Sequence, residues 1–96
     1  MAKSKETAIS TAINGHRDGI QAIDRQIFEL LGNRMKLALQ IGGLKKETGI
    51  PVIDAEREEK LRKDYVSYGR KHGLSQEFVE RLLEVILDES KRIQSK

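Results

Sequence analysis

Apolar residues recur at alternating steps of three and four along the first half of the chain. The run extends from Ile13 to Leu44 without a slip in register. This spacing places one apolar face along an α-helix and is typical of a helix that pairs with another helix. The pattern therefore predicts one long helix from about Thr7 to Lys46, which ends near Thr48-Gly49 before Pro51.

Two shorter helices are predicted in the second half of the chain. Asp54 is the expected N-cap of a helix that continues to about Gly73, with negative charge in its first turn. Ser75 is the expected N-cap of a third helix, whose apolar stripe runs from Val79 to Ile93. No segment shows the alternation typical of a half-buried strand. The predicted fold class is all-α, with one long and two shorter helices per chain.

Two members of the long stripe, His16 and Arg34, are not apolar. Arg34 lies between Leu30 and Leu37, where desolvating an unpaired guanidinium would cost several kcal/mol. It must therefore meet a carboxylate or a phosphate. An internal Glu or Asp and a bound ligand both satisfy this requirement, and the stripe alone leaves both open.

The third helix repeats this anomaly, because Ser90 and Gln94 continue a stripe formed by Leu83 and Ile86. Together with polar residues of the other two helices, they suggest one pocket that holds two or three cations, a carboxylate and two neutral hydrogen-bonding side chains. Such a pocket suits a small dianion that bears a hydroxyl or an ether. Its expected residues are Arg34, Lys45, Asp54, Arg57, Glu58, Ser90 and Gln94.

The length of the chain predicts a single domain, residues 1–96, and a homodimer. A first helix of close to forty residues would extend roughly 55–60 Å, further than two shorter helices can cover. A chain of this size also buries only a marginal core on its own. Pairing the long helices of two copies would bury a stripe that no single copy can bury.

Composition excludes several classes of chemistry. The chain has no cysteine, which rules out disulfides, thiolate metal sites and a cysteine nucleophile. Its two histidines, His16 and His72, are not at metal-ligand spacing, and no glycine-rich phosphate loop follows a strand. We therefore expect no metal and no cofactor, and a chemistry that works by positioning and electrostatics.

Charge and hydropathy indicate which classes of partner the chain binds and where in the cell it is located. The net charge is +3 and the pI is about 9.3, but charges of both signs are interleaved and aromatic residues for base stacking are few. Nucleic acid is therefore not an expected partner. No segment approaches membrane-spanning length, and the N-terminus lacks the apolar stretch of a signal peptide. We expect a cytoplasmic protein that does not bind membranes.

The ordered set of polar and apolar residues resembles the all-α chorismate mutases. The resemblance covers residues 13–94, and it rests on the complete set at family spacing because no single residue is diagnostic. The residues that carry it are Arg17 with Ile20 and Asp24, Leu30-Leu31, Arg34, Lys45, Pro51-Val52, Asp54, Arg57-Glu58, Ser90 and Gln94.

The resemblance implies an intertwined helical homodimer with two equivalent active sites shared between the chains. It implies the rearrangement of chorismate to prephenate, on the route to phenylalanine and tyrosine. By position, Arg34 and Arg17 of the partner subunit resemble the clamps on the substrate carboxylates, with Ser90 assisting at the ring carboxylate. Lys45 and Gln94 resemble the donors to the ether oxygen.

The resemblance also implies roles for residues of the second helix. Glu58, with the backbone near Asp54, resembles the contact to the ring hydroxyl, and Arg57 resembles a supporting cation in the same wall. The expected catalytic residues are Lys45, Gln94, Arg34 and Glu58. The chain ends two residues after Gln94, so we expect a monofunctional enzyme without a fused dehydratase, dehydrogenase or allosteric domain.

Two other functions remain open at this point. Isochorismate-pyruvate lyases share the fold and the cationic clamps but eliminate pyruvate to give salicylate, and we expect them to lack the carboxylate that Glu58 supplies. A non-catalytic helical dimerisation module, in which Arg34 is paired internally, is the alternative from another class. The mutase is the favoured interpretation because Glu58 is present.

Overall fold

The computed structural model describes the backbone of residues 2–96 and the side chains of residues 4–96. It contains three α-helices: α1 is Ala2–Thr48, α2 is Ala55–Lys71 and α3 is Gln76–Gln94. No strand occurs in this part of the chain. The predicted all-α class is confirmed, with the helices in the predicted order.

Helix α1 starts earlier than predicted, at Ala2 instead of about Thr7. It ends at Thr48, where the sequence places its end. The apolar stripe marks only the face that buries, whereas lysine and glutamate are good helix formers and extend a helix beyond that face. Pro51 then disfavours helical backbone at the residue before it.

The caps of α2 and α3 are those predicted. The Asp54 carboxylate accepts a hydrogen bond from the backbone N–H of Arg57 at 3.1 Å, and the Ser75 hydroxyl accepts one from the N–H of Phe78 at 3.2 Å. Helix α2 ends at Lys71 instead of about Gly73, because Gly73 has a φ of +76°, which no helix interior accepts. Each cap fixes where its helix begins.

By backbone proximity the chain divides into two units, one ending at Arg34 and the other Met35–Lys96. In the first unit, all side chains of residues 4–30 are exposed in the single chain. They include the members of the predicted stripe, such as Ile20, Ile23 and Leu30. The helix is continuous through Gly15 and Gly19, so these glycines do not interrupt it.

The second unit contains a small core. Its buried apolar side chains are Ala38 of α1 with Val79 and Leu83 of α3. Ser90 is buried as well, with 4% of its surface exposed. Across residues 2–96, no helix combines the length and apolar character needed to cross a membrane.

Candidate active site

A small cavity lies in the second unit, where the end of α1, the start of α2 and the end of α3 meet. Its volume is about 40 Å³. The sequence predicted six of its lining residues as site residues, and the remaining three are Val52, Leu87 and Lys91. The predicted six are Lys45, Asp54, Arg57, Glu58, Ser90 and Gln94.

Lys45 approaches the cavity from the last turns of α1. Its side chain is half-buried, and its ammonium donates a hydrogen bond to the backbone carbonyl oxygen of Val52 at 3.0 Å. This bond ties the end of α1 to the segment before α2. A lysine ammonium carries three N–H donors, and the Val52 carbonyl uses one of them.

Asp54 and Arg57 form the edge of the cavity at the start of α2. The Asp54 side chain caps the helix, and its backbone carbonyl accepts the first helical hydrogen bond from Glu58 at 3.1 Å. Asp54 therefore acts on the site by fixing the position of the turn that carries Arg57 and Glu58. Arg57 is exposed at this edge.

Glu58 forms an ion pair with Lys91 of α3, with 2.7 Å between Glu58 Oε1 and Lys91 Nζ. The side chains are 23% and 32% exposed, respectively. The hydrogen bond to Glu58 raises the pKa of Lys91 above its usual value, and the negative charges of Glu58 and Asp88 act in the same direction against partial desolvation. Lys91 therefore carries a full positive charge at the cavity at neutral pH.

The sequence interpretation missed Lys91. A signal was present, because Lys91 is four residues after Leu87 and three before Gln94, which puts all three on one face of α3. A lysine beside an apolar stripe is ordinarily solvated, so the stripe alone does not mark it as a site residue. Its partner Glu58 comes from another helix, which spacing within α3 does not reveal.

Ser90 and Gln94 line the cavity from α3. The buried Ser90 hydroxyl donates a weak hydrogen bond to the sulfur of Met35 on α1, at 3.9 Å. The side-chain oxygen of Gln94 is buried and, within the described part of the chain, accepts no hydrogen bond. An unsatisfied buried polar atom costs about 1–3 kcal/mol, so the Gln94 amide is a group that a polar ligand would stabilise.

Gln94 is held against α1 by a close helix approach at Gly42. A Cβ added to Gly42 would lie 2.6 Å from both the Cα and the carbonyl oxygen of Gln94. Only glycine fits a backbone contact this short. Gly42 therefore marks a point where α1 and α3 pack closely.

Arg17 and Arg34 belong to the first unit, whereas the lining of this cavity is drawn from residues 45–94. Arg17 is exposed, and Arg34 is half-buried. Their assignment as clamps on carboxylates therefore stays a prediction.

The charge of the cavity lining favours an anion. The lining has three cationic side chains, those of Lys45, Arg57 and Lys91, and two carboxylates, those of Asp54 and Glu58. Its net charge is therefore +1. An adjoining groove of about 400 Å³ shares Glu58, Leu87 and Lys91 with the cavity. That groove is lined by more carboxylates than cations, so it repels an anion. Its carboxylates are Glu58, Glu80, Glu84 and Asp88, and its cations are Arg62 and Lys91.

The cavity is smaller than a ligand pocket of ordinary size, which holds about 300–1,000 Å³. Its volume is set by the long side chains of Lys45 and Lys91, whose head groups bond to Val52 and Glu58. The Lys45 stem is flexible, so its ammonium can leave the Val52 carbonyl for an acceptor on a ligand, and this movement enlarges the cavity. Within the described residues, no group of three or more His, Asp or Glu side chains is placed to hold a metal ion.

The family described as chorismate mutase type II matches residues 16–95. The chain belongs to this family. The match includes all eight residues that the sequence assigned to the site, from Arg17 to Gln94, and the resemblance stated from the sequence is confirmed.

Several curated relatives share this similarity. The bifunctional chorismate mutase/prephenate dehydratase of Buchnera aphidicola subsp. Baizongia pistaciae is 34% identical over 88 residues, which are 92% of this chain and 24% of the relative. The protein of the same name from Escherichia coli K12 is 32% identical over 74 residues, 77% of this chain and 19% of the relative. The T-protein of Haemophilus influenzae is 29% identical over 79 residues, 82% of this chain and 21% of the relative. The chain thus spans about a quarter or less of the length of these relatives.

Proposed function

We propose that this chain is a chorismate mutase, which rearranges chorismate to prephenate on the route to phenylalanine and tyrosine. One observation carries the proposal: in a member of the chorismate mutase type II family, Lys45, Glu58, Ser90 and Gln94 line a single cavity of net positive charge. The proposed reaction needs no co-substrate, because all bonds form and break within one molecule.

Lys45 and Gln94 supply the catalytic electrostatics in this proposal. The carbon–oxygen bond of the substrate breaks ahead of carbon–carbon bond formation, so negative charge grows on the ether oxygen. Hydrogen-bond donors at that oxygen bind the transition state more tightly than the substrate. When the substrate binds, the Lys45 ammonium gives up its hydrogen bond to the Val52 carbonyl and donates to the ether oxygen. The side-chain amide of Gln94 rotates so that its NH₂ group donates to the same oxygen.

Arg34, Ser90 and Arg17 of the partner subunit hold the two carboxylates. Gripping both carboxylates of a flexible substrate favours the compact conformer in which the reacting ends meet, and this lowers the entropic part of the barrier. Ser90, which is buried beside Met35, offers its hydroxyl to the ring carboxylate.

Glu58 accepts a hydrogen bond from the ring hydroxyl, assisted by the backbone near Asp54. A carboxylate is an acceptor only, so it recognises a hydroxyl as a donor. Arg57 reinforces the positive potential of the same wall. The presence of Glu58 at the cavity favours the mutase over the isochorismate-pyruvate lyase.

A homodimer completes the site in this proposal, with residues 1–96 forming one domain. The exposed stripe of the first unit supports it, since isolated exposed apolar residues are common but a continuous row along a helix indicates a partner. Ile13, Ile20, Ile23, Ile27 and Leu30 are each more than 40% exposed in the single chain. A second copy of α1 presents the same stripe and is the simplest cover for it.

Incubation of the purified chain with chorismate tests the function directly. The absorbance of chorismate should fall, and chromatography should show prephenate as the product. Salicylate and pyruvate formed from isochorismate, without prephenate from chorismate, would identify the lyase. A folded chain that leaves both substrates unchanged would contradict catalysis and support the dimerisation module.

A further inference from the structure

The ion pair between Lys91 and Glu58 joins α3 to α2 at the wall of the cavity. Other ion pairs of the chain, Arg62–Glu59, Arg81–Glu77 and Arg92–Glu89, lie within one helix at more exposed positions. Pairs of that kind contribute little, because each partner remains solvated. Lys91 and Glu58 are more shielded from water, and their position on different helices makes the bond depend on how α2 and α3 pack.

We propose that Lys91 is a positioning residue for Glu58, holding one carboxylate oxygen so that the other accepts the hydroxyl of the substrate. This inference rests on the proposed function, which assigns Glu58 to the ring hydroxyl. Lys91 Nζ contacts Oε1 of Glu58 at 2.7 Å, which leaves Oε2 as the acceptor for a ligand.

Orientation is the first effect of this contact. A free glutamate side chain populates several rotamers, and a ligand that needs one of them must select it at a loss of conformational entropy. Lys91 reaches Glu58 from a different helix. Their bond therefore restricts the Glu58 side chain to rotamers that keep this contact. The carboxylate is therefore preorganised for the hydroxyl before the substrate arrives.

Charge compensation is the second effect. The lining has a net charge of +1 with Lys91 present and a net charge of zero without it. A dianion that enters a cavity with an uncompensated Glu58 carboxylate meets like charge at short range. Lys91 lets the site keep an acceptor for the hydroxyl without repelling the substrate carboxylates.

Replacement of Lys91 by methionine tests the proposal, because methionine keeps much of the stem and removes the charge. The ring hydroxyl takes no part in the bonds that break and form, so its contact strengthens substrate and transition-state binding about equally. We expect Lys91→Met to raise KM about threefold to tenfold and to leave kcat within about twofold of wild type. Lys91→Arg, which can still pair with Glu58, should restore most of the loss.

Arg92→Met is the matched control. It changes the net charge by the same amount at the next position of α3, and it breaks the pair of Arg92 with Glu89 within that helix. Neither residue lines the cavity, so KM should not change. Urea denaturation of both variants separates the substrate effect from any loss of stability, because a purely structural role for Lys91 lowers the midpoint without raising KM.

A double substitution separates positioning from direct contact. If Lys91 acts through Glu58, then Lys91→Met raises KM in the wild-type background but causes no further rise in a Glu58→Gln background. The same factor in both backgrounds would show that Lys91 contacts the substrate itself and would overturn the proposal. So would an unchanged KM in folded Lys91→Met.

Titration of Lys91 by NMR gives a readout that does not depend on activity. The pKa of Lys91 is raised by its hydrogen bond to Glu58, and it should fall toward the usual lysine value in Glu58→Gln. An unchanged Lys91 pKa in that variant would show that the ion pair does not form and would overturn the proposal. A wild-type chain that does not convert chorismate contradicts the proposed function, whereas an active wild type with an unaffected Lys91→Met contradicts only the role of Lys91.

Discussion

Gly42 of α1 lies against the backbone of Gln94 of α3, so closely that a methyl group at residue 42 would come within 2.6 Å of the Gln94 Cα and carbonyl oxygen. The neighbouring Gly43 has open space where its Cβ would lie. Two adjacent glycines of one helix therefore differ in their surroundings, since only Gly42 packs against another helix. Gly42 sets the distance between two helices, and through it the position of a site residue.

Alanine substitutions at these glycines should have opposite effects on stability. Gly43→Ala should raise the free energy of unfolding by up to about 1 kcal/mol through helix propensity. Gly42→Ala should lower it, because overpacking costs about 1–3 kcal/mol and backbone atoms cannot rotate away. Urea denaturation of both variants measures this. Equal stabilisation by the two substitutions would show that α1 and α3 are not in close contact at Gly42.

Lys45 should contribute to the transition state far more than its neighbour Lys46. Removal of one preorganised donor lowers the rate about 10²- to 10³-fold, so Lys45→Ala should reduce kcat/KM by at least that factor. Lys46→Ala is the control, because Lys46 is exposed in the same last turn of α1 and does not line the cavity. Near-normal turnover in a folded Lys45→Ala protein would remove Lys45 from the site.

Arg17 and Arg34 should complement each other across a dimer. Arg17→Ala and Arg34→Ala should each be inactive alone, because each site loses one carboxylate clamp. In a mixed dimer, one site receives both lesions and the other receives neither. Random exchange of equal amounts should therefore restore about a quarter of wild-type activity.

Subunit exchange must be verified in the same samples, for example by mass spectrometry of differently tagged chains. No recovery of activity after verified exchange would count against a role of Arg17 in the partner's site. Recovery would support both the dimer and the shared site.

Much of the fold could be predicted from local signals. Asp54 and Ser75 cap helices because their side chains satisfy free N–H groups of the first turn, and this chemistry is visible in the sequence. The polar residues Ser90 and Gln94 were found because they interrupt an apolar stripe. Lys45, Glu58 and these two residues line one cavity, whereas Arg34 does not line it.

The features that escaped prediction depend on how helices pack. Lys91 meets Glu58 only because α2 and α3 lie in a particular register, which the spacing within each helix does not encode. The start of α1 at Ala2 was missed because a polar helical segment has no stripe to mark it. Gly42 and Gly43 differ because only Gly42 faces α3, and the sequence does not show which of the two does so.

The pH dependence of Gln94→Glu tests the central claim, that this cavity stabilises the ether oxygen of chorismate, most directly. A glutamine amide donates a hydrogen bond at any ordinary pH, whereas a carboxyl group donates only when it is protonated. Above its pKa, the substituted carboxylate would set a negative charge against an oxygen that is itself becoming negative. Gln94→Ala is the control, since it removes the donor at every pH.

We predict that kcat/KM of Gln94→Glu is low at neutral pH and rises as the pH falls through the pKa of the substituted carboxyl group. Partial burial of this position acts to raise that pKa, whereas the cationic side chains of the lining act to lower it, so the pH of the rise reports their balance. Wild type and Gln94→Ala should show no such rise from this position. A flat or alkaline-favouring profile for the folded Gln94→Glu protein would contradict the claim that Gln94 is the donor to the ether oxygen.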